Sequence, residues 1–213
     1  MYNYDVFISY KTGGSNDEWM NDLFMPWFRE KLDNAFANLE LPEPQIFIDK
    51  SEIKNGSDWQ IAIKQAVAHS KMMVAICTPT YFRRSEWCLR EFTTMYYRAK
   101  KLGYLTATKN SGLVQPLMRQ MVSNLPLSIK AIQFLDYSQF NQVGPAFKQT
   151  SAYLEFQKRV EKDAQYISKV VKDSIPEWNP KFETDEWTEL PFDQLFAELN
   201  INEPKQMKPG WEQ

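Results

Sequence analysis

Trp87 and Glu91 lie four residues apart in the run Ser85-Glu86-Trp87-Cys88-Leu89-Arg90-Glu91-Phe92. At 3.6 residues per turn, that spacing sets an indole one turn before a carboxylate on the same helical face. An aromatic plane beside a single carboxylate can hold a flat ring and stabilise positive charge developing nearby. An isolated W-x-x-x-E more often marks ordinary packing, with the carboxylate solvated or paired to an arginine such as Arg84, Arg90 or Arg98. The pair gains weight from its place in the chain.

Few other residues compete for chemistry. His69 is the single histidine, and Cys77 and Cys88 are the two cysteines. Two cysteines and one distant histidine do not form a zinc site, so no metal is expected. A Ser-His or Cys-His nucleophile would depend wholly on His69, which reads as an ordinary residue at a helix C-terminus. The cysteines fall in a strand and a helix and read as small buried apolar groups, which suits a reducing compartment. With 25 Lys+Arg against 27 Asp+Glu, the chain lacks the basic excess of a nucleic-acid binder. No apolar run reaches the roughly 20 residues of a membrane helix, and no leader pattern precedes the first strand. A cytoplasmic protein that engages neither nucleic acid nor membrane is the expectation.

The elements that must position Glu91 follow from periodicity and punctuation. Tyr4–Ser9, Gln45–Asp49 and Lys71–Thr78 are short β-branched or apolar runs of strand length, and Leu113–Met118 and Ala131–Leu135 are two further strand candidates. Between them run helices. One spans Glu18 to about Asn38, with Trp19, Leu23, Trp27 and Phe28 inward and a kink expected at Pro26. A second opens at the capping box Ser57-Asp58-Trp59-Gln60 and runs through Ala68. Ser85 caps a third, which ends at Gly103 and buries Cys88, Phe92, Met95, Ala99 and Leu102, with Glu91 bordering that stripe. A long amphipathic helix runs from Ser151 to about Lys172.

Alternating strands and helices predict an α/β fold, a flavodoxin-like five-stranded parallel sheet with helices on both faces. In such sheets ligands bind outside the carboxyl ends of the strands. The loops Tyr10–Asp17, Lys50–Gly56 and Pro79–Arg84 should therefore share one face, with Glu91 just beyond the third. From residue 174 to 213 the composition changes. Five prolines alternate with Trp178, Trp187 and Trp211 among acidic residues, and so many indoles favour an extension packed back on the 1–173 domain.

Taken in order, these segments resemble a Toll/interleukin-1 receptor (TIR) domain over residues 1–173. The Tyr4-Asp5-Val6-Phe7-Ile8-Ser9-Tyr10 strand resembles that family's opening box, and Ile46-Phe47-Ile48-Asp49 through Gly56 its second box and BB loop. The Ser85–Glu91 run resembles the third-helix motif of members that cleave NAD. The resemblance implies that Glu91 is catalytic and that Trp87 lines the nicotinamide side. It implies dinucleotide contacts from Ser9, Tyr10, Lys11 and Asp49, with Lys11 standing where many relatives place an arginine. Ile53, Asn55 and Gly56 would lie in the loop that moves aside on self-association. NAD would be the substrate, with no cofactor. The implied activity is an NAD+ nucleosidase or ADP-ribosyl cyclase, of the kind found in prokaryotic antiviral defence or cell-death signalling. A non-catalytic adaptor that acts through TIR–TIR contacts is the alternative, and a nucleotide sensor a third reading.

Overall fold

The computed structural model describes residues 1–48, 59–104, 112–123, 125, 127–130 and 132–184. Five strands, β1 (Tyr4–Tyr10), β2 (Ile46–Ile48), β3 (Ser70–Cys77), β4 (Val114–Met118) and β5 (Leu135–Asp136), form one sheet in the order β2-β1-β3-β4-β5. Every neighbouring pair is parallel. The flavodoxin-like arrangement expected from the alternating pattern is present, with β1 and β3 at its centre.

Strict alternation along β1 and β3 feeds two cores. Val6, Ile8, Met72, Val74 and Ile76 face the layer of α2 (Met25–Asn38) and α7 (Ser151–Asp173). Phe7, Met73, Ala75 and Cys77 face the layer of α3 (Trp59–Ala68) and α5 (Glu86–Lys101). Burial on both faces explains why these strands read as continuous apolar runs. By the same phase, Ser9 follows Phe7 onto the α5 face, whereas Tyr10 follows Ile8 into the α2–α7 core.

The first helical region departs from a simple kink. After a single turn, α1 (Ser15–Glu18), the backbone widens into a π-helix over Trp19–Phe24 before α2 begins. Pro26 has no N–H to offer the carbonyl one turn back, and its ring needs room there, so a widened turn ahead of it relieves both problems. Trp19 is thereby buried, with its Nε1 donating 2.8 Å to the Phe140 carbonyl. Trp27 is only half-buried and bonds the Tyr153 hydroxyl at 2.7 Å.

Three other boundaries move. The last strand lies at Leu135–Asp136 rather than 131–135, because Ile132 N–H still bonds Ile129 O at 3.0 Å and closes the turn leaving α6 (Leu127–Lys130). Leu102 is 38% exposed, since it caps α5 where the helix has run past the sheet. Pro79–Arg84, expected as a loop, is the helix α4. The capping box at Ser57-Asp58 lies outside the described residues. Among the described residues, no helix is long and apolar enough to cross a membrane, and no cluster of His, Cys, Asp or Glu could hold a metal.

Beyond α7 the chain returns to the amino-terminal edge of the sheet. The Trp178 ring stacks on His69 at 5.1 Å and donates to Ala68 O at 3.3 Å. Phe182, in α8 (Lys181–Thr184), lies 4.5 Å from the buried Arg98 guanidinium, and Glu183 Oε1 lies 2.8 Å from His69 Nε2. An indole that packs and hydrogen-bonds in this way contributes to the fold and not merely to solubility. Trp178→Ala should cost about 1–3 kcal/mol in urea denaturation and expose residues 174–184 to proteolysis; unchanged stability and proteolysis would mean that this contact does not hold the segment.

Candidate functional site

Two successive helix starts bring the site together. Thr78 accepts from Tyr81 N at 3.2 Å as the N-cap of α4, and Pro79 supplies a preset first helical residue. Ser85 ends α4 and caps α5, accepting from Cys88 N at 3.3 Å. The first turn of α4 drives Tyr81 inward to zero exposure. The second turn of α5 carries Glu91 to the sheet edge, where only 1% of its surface remains accessible. Ser9, next to last in β1, meets both.

The Ser9 hydroxyl donates to Glu91 Oε2 at 2.5 Å and lies 2.7 Å from the Tyr81 hydroxyl. A serine has one proton to give. With that proton on the carboxylate, the Tyr81 hydroxyl must donate to Ser9, so the bonds run from Tyr81 to Ser9 to Glu91. Burial, followed by the charges of Cys88, Glu91 and Cys77, pushes the Tyr81 phenol well above its ordinary range. It therefore stays a donor at any physiological pH. Short hydroxyl-to-carboxylate bonds are among the stronger ones, as the burial of a charge requires.

Of the arginines considered as partners for Glu91, Arg90 bonds Glu86 at 2.5 Å, one turn back on the same helix. Arg98 donates to Ser70 O and Val67 O, both at 3.2 Å. Arg84 is exposed at the end of α4. Trp87 is half-buried and meets Trp59 edge to face, with centroids 4.5 Å apart and Trp59 42% exposed. Two indoles from the starts of α3 and α5 thus form an aromatic wall one turn from the carboxylate.

The residues expected at the site divide accordingly. Ser9 and Glu91 are in direct contact, and Trp87 stands on the same helix as Glu91. Tyr10 does not join them: the two-residue period of β1 sends it to the opposite face, into the core beside α2 and α7. Lys11 is half-buried, and its carbonyl accepts from Asn16 Nδ2 at 2.7 Å. Asp49, Ile53, Asn55 and Gly56 lie outside the described residues. A surface cavity of about 260 Å³ between α2 and β2, lined by Arg29, Glu30, Asp33, Glu43, Pro44 and Ile46, shares no residue with the Glu91 cluster.

Three residues escape the sequence reading. Tyr81 sits in a segment taken as loop, although Thr78-Pro79 is an N-cap followed by an N1 proline and marks a helix start. Trp59 carries no sequence signal beyond its place at a helix start. Arg119 follows β4 and reaches the first turn of α1, 103 residues away, where its Nη1 donates to Asn16 Oδ1. No local pattern signals a contact of that span.

Residues 6–150 match the family model described as TIR domain. Among solved structures, the chain resembles the TIR domain of the Toll-related receptor TRR-2 from Hydra magnipapillata at 13% identity and TM-score 0.44, covering 76% of this chain and 99% of that one. It also resembles the TIR domains of the activated Roq1 resistosome, which recognises the pathogen effector XopQ, at 16% identity and TM-score 0.36, covering 92% and 97%. No curated protein matches the chain.

The hydroxyl relay has a measurable signature. Ser9→Ala and Tyr81→Phe should each destabilise by about 1–3 kcal/mol, because each leaves a buried partner unsatisfied. The double variant should show a coupling of roughly 0.5–3 kcal/mol by denaturant unfolding. Additive effects would mean that the two hydroxyls do not act on Glu91 as one unit.

Proposed function

The chain belongs to the TIR domain family, and from that membership and the placement of Glu91 we propose that it is an NAD+ nucleosidase. It cleaves the bond between nicotinamide and ribose, with Glu91 as the catalytic residue. The observation that carries this reading is the bond of 2.5 Å between Ser9 Oγ and Glu91 Oε2 at the carboxyl edge of the sheet. The carboxylate already accepts an alcohol there, and a ribose diol presents the same donor.

In NAD the nicotinamide nitrogen is cationic and departs neutral, so its expulsion needs no general acid. Charge builds instead on the ribose as an oxocarbenium-like centre. Glu91 accepts a ribose hydroxyl in place of Ser9 and stabilises that charge, while Ser9 turns back to Tyr81. Trp87 and Trp59 offer flat apolar surface for the departing ring. Water as acceptor gives ADP-ribose; an adenine nitrogen or ribose hydroxyl of the same molecule gives a cyclic isomer.

Near-complete burial of Glu91 means that the resting monomer must open before substrate reaches it. Self-association that shifts the loop holding Ile53, Asn55 and Gly56, with Asp49 at its start, would supply that opening. Use of the reaction in prokaryotic antiviral defence or cell-death signalling rests on the resemblance alone. The same burial favours a second reading, in which Glu91 is a structural group and the chain is an adaptor working through TIR–TIR contacts.

The test is nicotinamide release from NAD by concentrated protein, followed chromatographically. Glu91→Gln should lower release by about 10²–10³-fold, the range for loss of one preorganised electrostatic partner, while keeping the circular dichroism spectrum of the parent. A folded variant that releases nicotinamide as fast as the parent refutes the assignment. An oligomer that forms identically with and without NAD, and releases nothing, selects the adaptor.

A further inference from the structure

Arg119 is an anomaly of charge. It stands directly after β4, is 1% exposed, and its guanidinium lies 5.5 Å from the Trp19 ring centroid. Its Nη1 donates to Asn16 Oδ1 and its Nη2 to Ser15 Oγ at 3.3 Å, both neutral acceptors. Its Nε has no hydrogen-bond partner, and among the described residues no carboxylate lies within ion-pair distance. Desolvation lowers its pKa to about 10, opposed by the charge of Glu18. Buried guanidinium groups ordinarily face carboxylates, because an uncompensated charge away from water costs several kcal/mol. A Met or Leu would fill this place beside Trp19 without that cost.

The position suggests what the charge is for. The carboxyl edge of a parallel sheet is where ligands bind, and Arg119 extends that edge at β4. The chain that contacts it is the end of the loop after β1 and the first turn of α1, of which residues 13–15 are exposed. Gly13 and Gly14 have φ of +117° and +55°, and a Cβ at either would meet no atom within 4 Å. The two glycines form a hinge ahead of α1, and the Ser15 and Asn16 side chains can turn from the guanidinium while the buried Trp19 stays in place. We infer that Arg119 receives the diphosphate of the dinucleotide, exchanging Ser15 and Asn16 for phosphate oxygens. The guanidinium fork suits a diphosphate, with the Nε–H and one Nη–H as a parallel pair. The substrate then crosses the sheet edge, with its reacting ribose at Glu91 on the α5 side and its diphosphate on the α2 side. Lys11, on the strand-to-helix loop between them, assists as a point charge.

This rests on the NAD reading but is tested apart from it, by calorimetric binding of inorganic pyrophosphate and of ADP-ribose to the full chain at constant ionic strength. The parent should bind both. Arg119→Gln should weaken both by about tenfold or more, Arg119→Lys by less, and Glu91→Gln should leave pyrophosphate binding intact. Should Arg119→Gln fail to fold, Arg119→Lys carries the comparison, since it keeps the charge and loses the fork. Equal affinities in the parent and the Arg119 variants, or no binding by the parent, overturn the proposal. So does pyrophosphate that binds through Arg119 without competing with ADP-ribose, since the site would then serve a free phosphate. Arg119-dependent binding of ADP-ribose in a protein that releases no nicotinamide keeps this proposal and removes the catalytic one.

Discussion

A carboxylate held out of water at the rim of a parallel sheet is the constraint around which this molecule is arranged. Glu91 would be costly at 1% exposure without a strong donor, and Ser9 supplies one from the interior strand β1. Ser9 has no proton left for its other neighbour, so Tyr81 must give one. Each of the three side chains comes from a different element: β1, α4 and α5. Their agreement to within hydrogen-bond distance requires the strand phase, the Thr78 cap and the Ser85 cap to be right together. A one-residue slip of β1 would turn Ser9 to the other face and put Ile8 or Tyr10 in its place.

Stability and function pull in opposite directions at such a place. An apolar residue at position 91 would suit the neighbouring Leu89, Phe92 and Met95, and a polar one persists only at a cost that function can justify. The arrangement also carries a built-in silence. Ser9 holds one carboxylate oxygen and burial covers the side chain, so a substrate hydroxyl reaches Glu91 only after movement of the surrounding chain. Sites that must open draw on the weakly held parts of a fold.

Much of this was legible in the residues. The buried strands announce themselves as continuous apolar runs, and the Ser85 cap marks the start of the helix, whereas Glu91, expected at the border of the buried stripe, is itself buried at 1% exposure. The two-residue period of β1 was equally readable, and it separates Ser9 from Tyr10, which a contiguous motif lumps together. What the residues hid was of another kind. Tyr81 was obscured because a six-residue helix between a strand and a capped helix looks like a loop. The widened turn before Pro26 depends on how the chain accommodates a proline, and several accommodations are available. Arg119 meets Asn16 only because the fold brings the ends of β1 and β4 to one edge, a tertiary fact with no local trace.

The most direct test of the account is the rate of nicotinamide release per molecule as the protein is concentrated at fixed NAD. A buried Glu91 that is uncovered by self-association predicts a rate near zero in dilute solution that climbs steeply with concentration. The co-product will show whether water or the substrate itself is the acceptor. A rate that stays at zero into the range where the chain demonstrably self-associates would contradict the claim that Glu91 is a catalytic carboxylate.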